Sequence, residues 1–256
     1  MYQPIYRPVL RPQPRPIRPF YDFNYDEEVN WVHDRPDITD TPILDQKLCA
    51  CCWAIATATC MGFHLCLQCR IQVILSSQEL VDNVCLYSHD VYGGLFQDTC
   101  YEGTPVDAYV WCHYNGLPSE ESNMFEGRWR SLENCPPRQT PRYIVGGYVE
   151  LGAWTDGHET QREIAEALMQ QPLVACMSTT TRFANIDGEG IYYELPSDKF
   201  KGLHVVVVVA MNLREDYFII RNSWGPTWAK AGYAKVRCNQ MFNFSLPSGR
   251  WMMARN

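Results

Sequence analysis

The sequence predicts an α+β fold in which a helical lobe is followed by a β-rich lobe, with a cleft between them. Three observations carry this expectation. The stretch from Cys52 to about Cys66 is free of proline and rich in Ala, Leu, Ile and Met, a composition suited to a buried helix. Beyond Cys135 the pattern shifts to short runs rich in β-branched and aromatic residues, the signature of strands. The chain has 256 residues, 46% apolar and 13% aromatic, enough to bury one large core or two smaller ones.

Residues 1–24 interleave Arg7, Arg11, Arg15 and Arg18 with six prolines. Proline fixes φ and lacks an N–H donor, so this segment reads as an extended, solvated arm without a fold of its own. It has no continuous apolar core of the kind a secretory signal needs, so no export signal is expected in it. Then come the helices. Cys52 to about Cys66 is the first, and Ser76 with Glu79 forms a capping box before Leu80 and Val81 that opens a second. Thr104-Pro105 starts a third, which Asn115-Gly116 stops. The strands are expected at 142–149, 173–177, 203–211, 217–222 and 232–237. One helix interrupts them, capped by Thr160 with Glu163 and ended by Pro172. The helical lobe spans about 45–135 and the β-rich lobe about 136–256.

Charge and cysteine content narrow the function classes. Net charge is −7, although residues 1–20 carry four Arg and no acid, so the body is more acidic still. That excludes nucleic acid as the main ligand. No uninterrupted apolar run approaches the roughly 18–20 residues of a membrane span; Val205–Met211 is a short one. Twelve cysteines exceed what a reduced compartment usually keeps, so some are expected to be bridged. Cys66 and Cys69 form C-x-x-C with His64 close by, but no second ligand pair follows, so no metal site is expected.

The reactive residues lie in three strings. Gln46, Cys49, Cys52 and Trp53 stand immediately before the apolar helix. A helix N-terminus offers unpaired N–H groups and a positive dipole end that favour thiolate over thiol at Cys52. His204 leads the apolar strand in Gly202-Leu203-His204-Val205, and Asn222 closes the next in Arg221-Asn222-Ser223-Trp224-Gly225. Taken singly, Cys52 reads as a buried structural thiol and His204 as a core histidine. The order Gln, Cys, His, Asn reverses that reading.

These strings, with Val29-Asn30-Trp31, Leu75 to Asp82, Gly190-Ile191-Tyr192 and Gly232-Tyr233, resemble the papain-like cysteine peptidase family over nearly everything after residue 25. The resemblance implies the papain-like two-lobe fold for residues 25–256 and cysteine endopeptidase activity without a cofactor. It makes Cys52 the nucleophile, His204 the acid and base, Asn222 the group that orients the imidazole, and Trp224 its cover. The Gln46 side chain and the Cys52 N–H would form the oxyanion hole. It also places Gly103, Pro105, Cys176, Gly202 and Val205 along the substrate, with an apolar pocket for the second residue before the scissile bond. Bridges Cys49–Cys100 and Cys85–Cys135 are implied as well. The expected partners are polypeptide substrates and cystatin-type protein inhibitors, without nucleic acid or membrane, and the expected state is a monomer. The family's compartments are the vacuole or lysosome and the extracellular space.

The chain departs from the family pattern at three places. Ala50 and Cys51 stand where Gly and a small Ser or Ala are usual, and Glu102 replaces the first glycine of a C-x-G-G string, where it would narrow the substrate channel. Cys51 reads either as an apolar filler or as a partner that could close a strained ring with Cys52. Only about 24 residues precede the matching region, too few for the family's inhibitory propeptide. The alternative function is therefore a binding or scaffold protein of the same fold with impaired turnover.

Overall fold

The computed structural model describes residues 28–84, 100–130, 134–135 and 141–254. The expected N-terminal arm and Cys85 lie outside the described residues.

Two short helices, α1 (Trp31–Asp34) and α2 (Pro36–Thr39), precede the long helix α3 (Cys52–Cys69). Nearly all of α3 from Trp53 to Cys66 is buried. By length and hydropathy it would pass for a membrane span, but most of it lies inside the molecule, which is the position an all-round apolar helix takes in a folded core. It ends at Arg70, a left-handed residue (φ 59°). Helix α4 (Ser77–Asn83) begins as its capping box predicts, with the Ser76 hydroxyl accepting from the Glu79 N–H at 3.2 Å. Helix α5 (Pro105–Asn115) carries the full box between Thr104 and Asp107, and Gly116 stops it. Both pack on α3.

The second half is one large sheet. Strands β3 (Gly147–Gly152), β9 (Met241–Ser248), β4 (Leu173–Thr180), β6 (Phe200–Asn212), β7 (Tyr217–Arg221), β8 (Tyr233–Arg237) and β5 (Ile191–Tyr192) lie in that order, and β1 (Glu28–Asn30) pairs with the end of β6. All pairs are antiparallel except β5 with β8. The run Val205 to Met211 is buried along its whole length because β6 has β4 and β7 on its two sides and α3 packed against it.

Three expectations need correction. The strand expected over 142–149 is two, β2 (Arg142–Ile144) and β3, separated at Val145-Gly146. A Cβ on Gly146 would stand 2.9 Å from the backbone of Arg250, so the chain turns there under a crossing segment; β2 then pairs with β10 (Met252–Ala254) in its own ribbon. Helix α6 (His158–Gln170) starts at Gly157 (φ 114°), not at Thr160. The positive φ lets the chain enter the helix early, and Asp156 closes the preceding turn by accepting from the Ala153 N–H at 2.7 Å. Strand β9 was not expected at all.

Arg221, at the end of β7, is buried and ties the two halves together. Its guanidinium donates to the carbonyls of Thr39 (3.2 Å), Thr41 (2.8 Å) and Pro42 (2.7 Å), and to the Tyr233 hydroxyl at 3.0 Å. This fixes the segment leading toward Cys52 against the sheet.

Candidate active site

Cys52 is the first residue of α3, after the N-cap Cys51. The first amides of a helix have no partner in the preceding turn, so the Cys52 and Trp53 N–H groups are left facing the thiol. Burial pushes the Cys52 thiol up from its ordinary pKa, while the backbone amides of Val205, Trp53 and Cys52 itself pull it down and the Glu102 carboxylate pushes it up again. The Val205 contact brings β6 against the helix start, one residue beyond His204.

His204 is 4% exposed. Its Nε2 stands 2.6 Å from Asn222 Oδ1, and the same oxygen accepts from the Ser223 N–H at 2.8 Å. An oxygen already accepting an amide proton can only accept from the ring, so Nε2 carries the hydrogen and Nδ1 is the basic nitrogen. Burial pushes the imidazole pKa down to about 4, against the opposing pull of Asn222. The Trp224 ring lies 4.8 Å from the imidazole and rests in turn on Phe183 and Trp228. Asn222 is positioned by its own N–H, which donates to the Gly232 carbonyl at 2.9 Å. Gly232 (φ 86°) must be glycine, since a Cβ there would fall 2.5 Å from Ile43.

Gln46 reaches both halves. Its N–H donates to the Ser223 carbonyl at 2.8 Å, its Oε1 accepts from the Ser223 hydroxyl at 2.6 Å, and its Nε2 donates to the Cys49 carbonyl at 2.9 Å. One hydrogen of that amide is thereby used by the Cys49 carbonyl. A second link is the Gly225 N–H donating to the Leu44 carbonyl at 3.1 Å.

The segment opposite is attached to α3 and the turn before it at three points. Cys49 and Cys100 form a disulfide. The Trp53 indole donates to the Tyr101 carbonyl at 3.3 Å. Gly103 lies flat on the Trp53 ring, where a Cβ would meet Cε2 at 2.6 Å. Of the other expected lining residues, Cys176 and Val205 are direct partners on β4 and β6, Gly202 lies nearer the start of β6, and Pro105 opens α5. Burial, with Cys52 nearby, pushes the Cys176 thiol up to about 12. The Cys85–Cys135 pairing falls partly outside the described residues, at Cys85; the Cys135 thiol stands free, 3.8 Å from the Arg130 carbonyl. Cys51 is wholly buried, the location an apolar filler requires. No group of three or more metal-binding side chains occurs among the described residues; His64 instead accepts from the Trp251 indole at 3.0 Å.

The family model for the papain family cysteine proteases matches residues 25–247. The chain belongs to that family. It is 29% identical over 226 residues to digestive cysteine proteinase 3 of Homarus americanus, covering 86% of this chain and 64% of the relative. It is 30% identical over 219 residues to a cathepsin L-like protein of Caenorhabditis elegans, covering 84% and 60%. With mexicain of Jacaratia mexicana it shares 29% over 218 residues, covering 83% and 89%. The chain thus spans less than two thirds of several curated relatives it matches. Its fold superposes on the Carica candamarcensis cysteine protease CMS1MS2, solved in complex with E-64, with a TM-score of 0.70 at 21% identity, covering 87% of this chain and 98% of that one. For procathepsin L 3 of Tenebrio molitor the TM-score is 0.67 at 22% identity, with 87% and 69% covered.

Two contributors escaped the sequence reading. Ser223 was visible only as part of a string, and its hydroxyl bond to Gln46 spans 177 residues. The Val205 amide is backbone and carries no side-chain signal.

Proposed function

We propose that this papain-family protein is a cysteine endopeptidase that cuts peptide bonds through a thioester acyl-enzyme. The observation that carries the proposal is the double use of Asn222 Oδ1, which fixes the His204 tautomer so that Nδ1 is the free base. Burial disfavours a lone charge on either Cys52 or His204, so a proton moving from Sγ to Nδ1 creates both charges together, each stabilised by the other. The sulfur attacks the carbonyl carbon of the bound peptide. The oxyanion then accepts from the spare hydrogen of Gln46 Nε2 and from the Cys52 N–H. His204 Nδ1–H protonates the leaving amine, the C–N bond breaks and the thioester remains. His204 next takes a proton from water, whose oxygen attacks the thioester, and the acid leaves as the Cys52 thiol is restored.

On this reading Pro105, Cys176, Gly202 and Val205, all uncharged, line the pocket for the second residue before the scissile bond, which favours an apolar side chain there. A cystatin-type inhibitor would act by filling the same cleft of a monomer. The test is to incubate the protein with an E-64-type epoxide near pH 6, map the alkylated residue and assay a peptide library before and after. Stoichiometric labelling of Cys52 with matching loss of hydrolysis is expected. Slow, equal labelling of several cysteines with no hydrolysis would instead establish the scaffold alternative.

A further inference from the structure

Glu102 occupies a position the fold has made rigid. Its chain neighbours are fixed to the first turn of α3 and the loop before it by the Cys49–Cys100 bridge, by the Trp53–Tyr101 hydrogen bond and by the contact of Gly103 with the Trp53 ring. Its side chain is exposed. The neighbouring acid, Asp107, is engaged by the Thr104 N–H and hydroxyl, whereas Glu102 has no ion pair among the described residues. Its charge acts on Cys52. A carboxylate held beside a nucleophile, with no ion pair among the described residues, attracts whatever cation a ligand brings near that sulfur.

We propose that Glu102 is a specificity-determining residue of the cleft, an anionic selector for peptides that carry Lys or Arg within a residue or two of the bond to be cut. The inference rests on the endopeptidase reading and adds to it the charge class of the substrate. It is compatible with the apolar pocket, because Glu102 is not among the residues assigned to line it.

The experiment compares the parent with Glu102→Gln and Glu102→Lys in two assays. Matched peptides carrying Arg or Gln at each of the two positions before and the one after the scissile bond give ratios of kcat/KM. The parent is expected to favour Arg at one position by about fivefold, the size of one exposed charge pair. Glu102→Gln should erase that preference and Glu102→Lys invert it, and added salt should compress the parent's ratio. In the second assay, cationic, neutral and anionic alkyl methanethiosulfonates label Cys52, read by peptide mass mapping. The parent should rank them cationic, neutral, anionic, and Glu102→Gln should narrow the spread. If no peptide is cut but the labelling order depends on Glu102, the endopeptidase reading and the peptide specificity fall, and only charge selection of ligands at Cys52 stands. If peptides are cut and the Arg preference is the same in the parent and in Glu102→Gln, the selector is overturned and the endopeptidase reading stands.

Discussion

Cys52 sits at the start of a helix whose surroundings are held by covalent and polar ties, whereas His204 sits on β6 and Asn222 just past β7, in a sheet held by register and apolar packing. On the helical side the Cys49–Cys100 bridge joins segments 51 residues apart. Buried ion pairs then join Arg142 to Glu79, and Arg130 to Asp82 at 2.5 Å. On the sheet side β4, β6 and β7 bury Val, Ile, Phe and Met, with Phe218 and Phe244 fully enclosed. The difference teaches that the two halves fail in different ways. Helical-side geometry depends on a few specific bonds, among them a disulfide that reduction can remove, while sheet-side geometry depends on distributed packing that reduction does not touch.

Activity should break the comparison most severely, since the proposed turnover needs one group from each half. Cys52→Ala and His204→Ala should each lower kcat/KM by on the order of 10⁵-fold, and the double variant should be no worse than either, because residues acting as a unit are not additive. Single-turnover rates of the three variants check this; a double variant weaker by the product of the two effects would mean that the halves act independently.

Stability should separate the halves. Cys100→Ser opens the bridge, and the loop-closure entropy of about fifty residues corresponds to roughly 4 kcal/mol. Hydrogen exchange should show protection lost around Cys49 to Trp53 and in α5 while β4, β6 and β7 keep theirs. Uniform loss across the sheet would mean that the halves unfold as one unit.

Acid should act on both halves, through His64 and His204, and the His64 share can be isolated. His64 on α3 is buried, and burial pushes its pKa down from 6.5 to about 4. Above pH 6.5 it is neutral in both folded and unfolded chains, so its full contribution is present. As pH falls from 6.5 toward 4 the unfolded chain takes a proton that the folded one refuses, and about 3 kcal/mol is lost. Asn in its place can still accept from the Trp251 indole and does not titrate. Urea unfolding at pH 7 and pH 4.5 should therefore show a smaller pH dependence for His64→Asn, with His204 common to both proteins and cancelling in the difference.

Much of this was legible in the sequence, and the exceptions have physical causes. Helices α3, α4 and α5 carry their own start signals, in Ser76, Thr104 and Pro105 and in an apolar run, so local chemistry sufficed. Strand β9 was hidden because Asn243, Ser245 and Pro247 are poor strand formers and Asn243 has φ 50°. It exists because β3 and β4 present unpaired edges on either side of it, a tertiary demand that overrides propensity. Likewise Gln46, Cys52, His204 and Asn222 stood out by type and order, while Arg221 and Ser223 act through bonds spanning about 180 residues. Spacing along the chain could not reveal those.

Ser223 gives the smallest and sharpest test, because its hydroxyl crosses between the halves without touching substrate. It donates at 2.6 Å to Gln46 Oε1, and that bond holds the amide with Nε2 turned toward Cys49 and the site. Without it the amide can rotate, and its donor is aimed at the oxyanion only part of the time. One net hydrogen bond is about 1 kcal/mol, so Ser223→Ala should lower kcat about fivefold. Since the oxyanion exists only in the transition state, KM should hardly move. Gln46→Ala removes the donor itself and should lose on the order of 10²–10³. Adding Ser223→Ala to it should then cost nothing further in kcat, because nothing remains to be oriented. Should the second substitution lower kcat fivefold again in the Gln46→Ala background, the Ser223 hydroxyl does not act by orienting the Gln46 amide.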